Sequence, residues 1–243
     1  MTPQSLLSQA QQIAPVVLAK EQLLQVPPVF QPLLPGAGLQ RGWTTRIEGS
    51  RSGRALAWAL LADVTRSGGW IAAVDVPGIS LVAASEVGVS VERVLVVSGT
   101  TTDTWASTIG ALIGSVDVVV FGAPRHRVQP SVHRRIASRC RERGTVLLEL
   151  GGPSAGRRSS SDKQLEYDVS FHVADVGWHG LGAGYGRLVS RELEVTVGGR
   201  RSRGAPRRGR FAVPGADGVV REIATPEAPV LSVVPSASVP SAS

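Results

Sequence analysis

The chain has 243 residues, of which 42% are hydrophobic, and a formal net charge of +7 from 26 basic and 19 acidic side chains. This hydrophobic content is sufficient for a core and excludes a wholly disordered chain. No apolar run approaches the ~18–20 residues of a membrane-spanning helix. Residues 1–20 lack the pattern of a secretory signal, and the single cysteine, Cys140, excludes an intrachain disulfide. The composition therefore predicts a cytoplasmic protein.

The N-terminal region combines a helical pattern with a proline-rich segment. Residues 5–25 carry apolar side chains near helical spacing, which predicts a short amphipathic helix. These side chains are Leu6, Ile13, Val17 and Leu24. Four prolines between positions 27 and 35 predict a stiff, extended linker over residues 26–40. We therefore expect residues 1–40 to lie outside the folded core.

The next part of the chain alternates strand-like apolar runs with helical stretches. The predicted strands are residues 43–47, 70–76, 93–97, 116–121 and 145–150, and the predicted helices are residues 53–66, 79–87, 103–114 and 130–143. Nearly continuous apolar runs, such as residues 116–121, are typical of strands buried on both faces of a parallel sheet. The alternation predicts a doubly wound α/β core with its ligand edge at the carboxyl ends of the strands.

The pattern changes after residue 150. A polar loop at residues 151–161 precedes alternating segments that predict antiparallel strands at residues 167–176, 185–198 and 207–213. The predicted fold class is therefore α/β, with a mostly parallel twisted sheet flanked by helices and antiparallel strands at the C-terminal side, over a core of residues 41–223. Residues 224–243 consist largely of Pro, Ser, Ala and Val, which predicts a disordered tail.

A degenerate phosphate-binding loop follows the first predicted core strand. A working loop reads Gly-x-x-x-x-Gly-Lys-Ser/Thr, in which backbone amides hold phosphates and the hydroxyl holds Mg²⁺. Here Gly53 is kept, but Glu48 replaces the first glycine, and we expect its carboxylate to face the phosphates and repel them. Arg54 replaces the lysine and Ala55 the hydroxyl residue. An ordinary glycine turn that opens a helix is the alternative. The complete segment is Glu48, Gly49, Ser50, Arg51, Ser52, Gly53, Arg54 and Ala55.

The order of the segments resembles the core of the RecA recombinases over residues 41–220. The stretch WIAAVD at residues 70–75 resembles the RecA strand that ends in Asp-Ala-Glu, and residues 81–95 resemble its next helix and strand. Residues 115–121 resemble the Walker B strand. Residues 134–150, 167–174 and 191–213 resemble the elements that close the core.

The resemblance also shows which RecA residues are replaced. Pro77 stands where RecA has its catalytic glutamate, Gly122 at the Walker B aspartate and Gly152 at the glutamine that senses the γ-phosphate. The segment after Phe121 is shorter than the first DNA-binding loop of RecA, and residues 151–164 form a short version of the second. Because phosphoryl transfer depends on such positioning and charged groups, these replacements predict that the protein is not an enzyme and has no cofactor.

A RecA-like core without ATPase residues, on a short arginine-rich chain, is similar to the ImuA family and more narrowly to its actinobacterial ImuA′ type. The resemblance implies an accessory protein of the SOS response that acts in DNA repair by translesion synthesis and mutagenesis. It implies assembly with an ImuB-like inactive Y-family polymerase and, through it, with an error-prone DnaE-class polymerase and the sliding clamp. The implied location is cytoplasmic, in association with the nucleoid after DNA damage.

Two segments concentrate the positive charge, and we expect both to contact DNA phosphates or an acidic partner. Residues 125–143 combine a buried helix face with a parallel stripe of arginines, and residues 200–210 contain six arginines and no acid. The candidate contacts are Arg125, Arg127, Arg134, Arg135, Arg139 and Arg143 in the first segment, and Arg200, Arg201, Arg203, Arg207, Arg208 and Arg210 in the second. Solvated arginines that reflect codon bias are the alternative.

The remaining chemistry-bearing residues favour structural roles. His126 and His133, like His172 and His179, lack accompanying acidic or cysteine ligands, which predicts no metal site. Cys140 lies on the apolar face of its predicted helix and is expected in the core. The tryptophans are expected to fill the core, except Trp178, which is the candidate for an exposed contact.

Three functions remain open from the sequence. The favoured one is a non-enzymatic assembly protein, which includes self-association through the N-terminal helix. The second is a module that binds single-stranded or branched DNA through the arginine segments. The third is a residual nucleotide-binding switch that uses Arg54 and the adjacent helix N-terminus.

Overall fold

The computed structural model describes residues 23–123, 128–151, 167–182, 185–202, 204–215 and 218–224. In these residues the strands are β1 (Leu23–Leu24), β2 (Leu39–Gln40), β3 (Thr44–Glu48), β4 (Ile71–Val74), β5 (Val94–Val97), β6 (Val118–Gly122), β7 (Val146–Leu150), β8 (Val169–Leu181), β9 (Gly186–Gly198), β10 (Arg207–Ala212) and β11 (Arg221–Ile223). The α-helices are α1 (Ser50–Arg66), α2 (Leu81–Glu86), α3 (Thr102–Leu112) and α4 (Pro130–Arg143). Short 3-10 helices span Pro28–Leu33, Pro35–Ala37 and Val91–Arg93.

A nine-stranded sheet organises the described residues, in the order β11-β10-β9-β8-β3-β7-β6-β4-β5. Strands β8, β3, β7, β6, β4 and β5 are parallel, whereas β9, β10 and β11 continue the sheet as antiparallel neighbours. The predicted fold class is confirmed: a mostly parallel sheet carries antiparallel strands on its C-terminal side. The predicted core strands and helices are also confirmed, with ends that differ by a few residues, but β11 was not predicted.

Helices cover both faces of the parallel strands. On one face, α1 packs its buried residues, such as Leu56 and Leu60, against Ile47 and neighbouring strand residues. On the other face, α3 and α4 enclose a second cluster around Trp105 and Phe121, whose ring centroids lie 5.6 Å apart. Strands β6 and β7 are buried at every position. Their continuous apolar sequences therefore reflect burial between two helical layers.

The helix ends follow local sequence signals. Thr101 and Thr104 form a reciprocal capping box at the start of α3. Helix α4 begins with Pro130 at its first position and ends before Gly144, which adopts a left-handed φ of 71°. Within the described residues, no helix is both long and apolar enough to cross a bilayer.

The proline-rich segment before the core corrects the prediction of an extended linker over residues 26–40. Its prolines lie in two 3-10 helices, and the apolar side chains of Phe30, Leu33 and Leu34 are buried. The Phe30 ring lies 5.0 Å from that of Phe211 on β10. The linker prediction fails because the apolar residues between the prolines have partners on the sheet. These residues belong to the core. The prediction that residues 1–40 lie outside the core is therefore wrong for this segment.

The ends of the chain are described only in part. Leu23 and Leu24 pair with β2, so the predicted helix over residues 5–25 does not continue through them. The rest of that predicted helix lies outside the described residues. The same holds for the predicted tail after Ala224, for the segment equivalent to the first DNA-binding loop and for nearly all of the second.

Candidate functional site

The carboxyl edge of the parallel sheet gathers the residues of the predicted degenerate loop together with Pro77 and Gly122. Strand β3 ends at Glu48, β4 at Val74, β6 at Gly122 and β7 at Leu150. These strands are neighbours and point in the same direction. The residues that follow them therefore meet at one edge, where parallel α/β sheets bind their ligands.

The connection from β3 to α1 consists of one residue, Gly49. The backbone N–H of Gly53 already donates to the Gly49 carbonyl over 2.8 Å, and Ser50 through Ala55 are helical. Gly49 has a φ of 133°, and a Cβ there would lie 2.6 Å from the Val173 carbonyl oxygen. Only glycine fits this turn. The predicted glycine-rich turn is thus shorter than expected, and its remaining residues form the start of a helix.

An acidic side chain lies at the start of α1. The Ser52 hydroxyl, in the first turn, donates to Asp175 Oδ1 on β8. The free N–H groups of a helix N-terminus attract anions, and phosphate groups bind such ends in nucleotide-binding proteins. Here the protein's own carboxylate lies at this end. The sequence contained no signal for the contact, because the two residues are 123 positions apart.

Glu48 lies on the opposite face of the sheet from α1. Its carboxylate is 3.2 Å from Arg46 Nε and 2.7 Å from His172 Nδ1. Ile47 faces α1 instead, because successive strand residues point to opposite faces. The expectation that Glu48 faces the phosphates at the helix start is therefore wrong.

Two positions predicted to have lost catalytic side chains meet at this edge. A Cβ on Gly122 would lie 2.6 Å from Pro77 Cδ and 2.4 Å from the Asp75 carbonyl oxygen. The backbone after β4 therefore occupies the space that a side chain at the Walker B position requires. Gly152, the third such position, lies outside the described residues.

Asp75 connects the ends of β4 and β5, a role that the sequence did not reveal. It has a positive φ of 45°. Its carboxylate accepts the backbone N–H of Gly99 over 2.8 Å, the N–H of Thr100 over 3.2 Å and the Thr100 hydroxyl. The Asp75 carboxylate therefore forms hydrogen bonds that join two parts of the fold.

A buried arginine near the start of α1 was also missed. Arg191 on β9 has 9% of its surface exposed, and its Nε has no hydrogen-bond partner among the described residues. Its guanidinium carbon lies 5.1 Å from the centre of the Trp178 ring. Burial lowers the pKa of Arg191, the nearby Asp175 charge raises it, and the Arg54 charge lowers it further. Arg54 itself lies beside Gly78. Its Nη2 is 3.6 Å from the position that a Cβ on Gly78 would take.

The first arginine segment forms an open basic surface on α4. Ile136 and Cys140 are buried against the sheet, as predicted. The arginines of this surface are exposed, and none of them has an ion-pair partner among the residues that the structure describes. They are Arg134, Arg135, Arg139, Arg141 and Arg143. Arg125 and Arg127 lie outside the described residues.

The second arginine segment is largely used inside the fold. Arg200 Nη2 lies 2.6 Å from Asp168 Oδ1, and Arg201 lies over the Trp43 ring at 5.8 Å. Arg207 donates to two backbone carbonyls of the proline-rich segment, and Arg210 pairs with Glu192 over 2.9 Å. Arg208 is exposed, and Arg203 lies outside the described residues. Four of the six arginines in this segment thus have partners within the described fold, and their contact with DNA or an acidic partner stays a prediction.

The other predicted residues occupy varied environments. Cys140 is fully buried, and burial raises the pKa of its thiol to about 12, although the Arg141 charge opposes this shift. Trp58 and Trp105 are core residues, whereas Trp178 is exposed, as predicted, and Trp70 is exposed against prediction. In the described part of the chain, no cluster of three or more His, Cys, Asp or Glu side chains has the arrangement of a metal site.

The sequence of this chain matches a family model and a relative. The family model described as MT3502 N-terminal domain matches residues 32–156. The uncharacterized protein Rv3395c of Mycobacterium tuberculosis is 30% identical over 148 residues, which are 60% of this chain and 70% of that protein.

Two solved structures share the fold. The RadB recombinase matches with a TM-score of 0.59 and 14% identity, over 81% of this chain and 97% of its own. A KaiC-like protein from Pyrococcus horikoshii matches with a TM-score of 0.58 and 13% identity, over 83% of this chain and 100% of its own. At these identities the likeness shows the fold alone, which is RecA-like.

Proposed function

We propose that this chain, which belongs to the MT3502 N-terminal domain family, is a non-catalytic RecA-like accessory protein of damage-induced translesion synthesis and mutagenesis. The proposal rests on the structure at the start of α1. Strand β3 enters the helix through Gly49 alone, and the Asp175 carboxylate lies at the helix end. This arrangement supports a fold that has kept its architecture without the loop and cation site of an ATPase.

The contact between Pro77 and Gly122 supports the same proposal. A magnesium-holding aspartate at position 122 would collide with the backbone after β4. Restoring the missing side chain would therefore require a backbone movement as well. Backbone atoms thus occupy the space that the Walker B side chain would need. This arrangement supports a protein that acts by binding other molecules.

The proposed partner is an ImuB-like inactive Y-family polymerase, through which an error-prone DnaE-class polymerase and the sliding clamp would join. The resemblance to the ImuA family suggests these partners. A feature of the fold that suits a protein partner is β5, which is the last strand at its side of the sheet in the described residues and pairs there only with β4. Leu95 and Val96 are both exposed there. Apolar side chains on an edge strand favour coverage by another chain.

Co-purification tests this proposal. A tagged full-length chain, co-expressed with an ImuB-like protein, should retain it through affinity and size-exclusion steps. The Leu95→Lys and Val96→Lys variants should lose at least about tenfold in affinity, because a buried lysine in an apolar contact costs more than about 1.4 kcal/mol. Both positions are solvent-exposed, so the free protein should keep its stability.

Val219→Lys is the matched control, since Val219 is also exposed but lies near β11 at the other edge of the sheet. It should bind like the unmodified chain. No association between the unmodified proteins would argue against the assembly function. Equal binding by the β5 variants and Val219→Lys would exclude the β5 edge as the contact.

A second candidate function is direct DNA binding through α4. The observation that favours it is the row of exposed arginines on α4 that have no ion-pair partners among the described residues. Phosphates could neutralise these charges without breaking contacts of the fold. This function is compatible with the first, because a polymerase accessory factor acts on DNA.

A further inference from the structure

The residues that precede the parallel strands form a second edge of the sheet, opposite the carboxyl edge. Strands β8, β3, β6, β4 and β5 point in the same direction, so the residues just before them meet at this end. In sheet order they are Asp168, Trp43, Asp117, Trp70 and Arg93. We call this surface the amino edge. The ligands of open parallel sheets bind at the other end of the strands.

Two tryptophans at the amino edge each lie against an arginine. The guanidinium carbon of Arg201 is 5.8 Å from the centre of the Trp43 ring, and that of Arg93 is 5.6 Å from the centre of the Trp70 ring. Arg93 Nη1 also donates to the Gly68 carbonyl over 2.7 Å. Trp70 has 40% of its surface exposed. Tryptophan and arginine are enriched among the residues that contribute most to protein–protein binding.

The acidic groups within the amino edge already have partners. Asp168 is almost fully buried beside Arg200 and Arg201, and Asp117 lies 2.6 Å from Arg41 Nη2. The side chains of the three arginines nevertheless remain 33% (Arg41), 47% (Arg200) and 54% (Arg201) exposed. Their guanidinium groups can therefore accept further acidic partners from outside.

Basic side chains outnumber acidic ones at the amino edge. Asp63 and Arg66, at the end of α1, form a neutral pair. Among the other described residues, six arginines stand against four acids, so the surface is complementary to negative charge. The arginines are Arg41, Arg93, Arg141, Arg143, Arg200 and Arg201, and the acids are Glu92, Asp117, Glu142 and Asp168.

The chain itself offers no acidic segment that could cover this surface. Residues 1–22 carry one acid and one base, residues 225–243 carry one acid, and residues 152–166 are net basic. A second copy of the chain would bring another net charge of +7. The charge of the amino edge therefore favours a different, acidic molecule.

We propose that the amino edge binds an extended acidic segment of a protein partner, with carboxylates at Arg93 and Arg201 and an apolar side chain on Trp70. A guanidinium that lies over a ring keeps its N–H groups in its own plane and can donate two of them to one carboxylate. A nucleic-acid base would instead compete with the arginine for the ring.

The spacing of the two tryptophan–arginine pairs suits such a segment. Two strands lie between β3 and β4, so Trp43 and Trp70 stand three strand intervals apart. At ~4.8 Å for each interval this is about 14 Å, which an extended chain covers in roughly four to five residues.

This inference goes beyond the proposed function, because it concerns the ends of the strands and requires no ImuB-like protein. Its test uses a peptide, so its failure leaves the co-purification result to be judged by itself. Neither Trp70 nor Arg93 lies on α4, which separates it from DNA binding by that helix.

Fluorescence anisotropy of a labelled peptide of about eight residues, with glutamates on both sides of one phenylalanine, tests the amino edge of the full-length chain. The measurement is made at about 0.15 M salt, which screens long-range attraction to other arginines. Trp70→Ala and Arg93→Gln should each weaken binding about tenfold, as expected of residues at the centre of an interface. Thermal unfolding of each variant checks that the fold is kept.

Trp178→Ala and Arg187→Gln are the matched controls. Trp178 has 44% of its surface exposed and lies 5.1 Å from the guanidinium carbon of Arg191, much as Trp70 lies against Arg93. Arg187 is exposed on β9. Both controls lie where β8 and β9 extend past the carboxyl end of β3, away from the amino edge. They should bind the peptide as tightly as the unmodified chain does.

Ligands of different chemistry complete the test. A peptide with glutamine in place of glutamate should bind at least about tenfold more weakly, because it cannot form charged pairs with the arginines. The proposal is overturned if the unmodified chain does not bind the acidic peptide, or if Trp70→Ala and Arg93→Gln bind it like the controls. Equal affinity for the glutamine peptide, or equal competition by an oligothymidylate of the same charge, would also overturn it.

Discussion

Individual residues show how the described part of the chain packs at the carboxyl edge of this RecA-like sheet. Gly122 has no room for a Cβ, and Asp175 lies where helix α1 would attract an anion. The resemblance to RecA led us to predict Gly122, Pro77 and Arg54 as departures from the RecA pattern. They did not identify Asp175 or Arg191, because those contacts join strand β8 or β9 to a helix more than a hundred positions away.

Asp168 provides a prediction about pH at the residue scale. Its side chain is almost completely buried and accepts the N–H and hydroxyl of Thr44 and a hydrogen bond from Arg200. Burial by itself would raise the pKa of Asp168, but the bonds from Thr44 and Arg200, with the Arg200 charge, hold it below its ordinary value. The carboxylate therefore stabilises the fold above its unfolded pKa of about 3.9. That stability is lost as the pH falls through the lower folded pKa.

Asp168→Asn should reduce the free energy of unfolding at pH 7 by about 2 kcal/mol, as expected for hydrogen bonds to a charged group. Urea denaturation between neutral pH and strongly acidic pH should show this difference shrinking as the unmodified protein is protonated. Glu86→Gln, at an exposed position on α2, is the control and should follow the unmodified protein. An Asp168→Asn variant with the same stability and pH dependence as the parent would contradict the account.

At the scale of elements, sequence periodicity was sufficient to predict the central strands and helices. Continuous apolar runs correctly indicated β6 and β7, and the helix predicted over residues 130–143 coincides with α4. Composition was misleading for the segment before the core, where proline suggested an extended linker. The packing of Phe30 against Phe211 holds that segment on the sheet. A partner so distant in the sequence cannot be inferred from a local pattern.

Helix α4 offers a prediction about DNA at this scale. Replacing Arg134, Arg135, Arg139 and Arg143 with Gln should weaken DNA binding uniformly across sequences, because phosphate contacts carry no base information. The slope of log affinity against log salt should also become shallower, by about 0.7–0.9 for each phosphate that the variant no longer binds. A parallel variant, Arg200→Gln with Arg201→Gln, should instead destabilise the fold, since both side chains lie beside Asp168. Unchanged affinity and salt dependence in the α4 variant would remove this helix from the DNA-binding surface.

At the scale of the whole molecule, positive charge and apolar surface are separated. In the part of the chain that the structure describes, exposed arginines lie on α4, and exposed Leu95 and Val96 lie on β5 at one edge of the sheet. The excess of arginine in the composition correctly suggested a basic surface. It did not show that most of the described arginines in the second segment hold the fold together, because internal ion pairs depend on the tertiary structure.

The central claim is that a RecA-like architecture here works without ATP. Isothermal titration of the full-length chain with ATP and Mg²⁺ tests it most directly, with inorganic phosphate as a comparison for any weak anion site. The account predicts no saturable, Mg²⁺-dependent binding of ATP, because the resemblance to RecA places Arg54, Ala55 and Gly122 where the lysine, the hydroxyl residue and the Walker B aspartate would stand. Micromolar ATP binding that requires Mg²⁺ would contradict it.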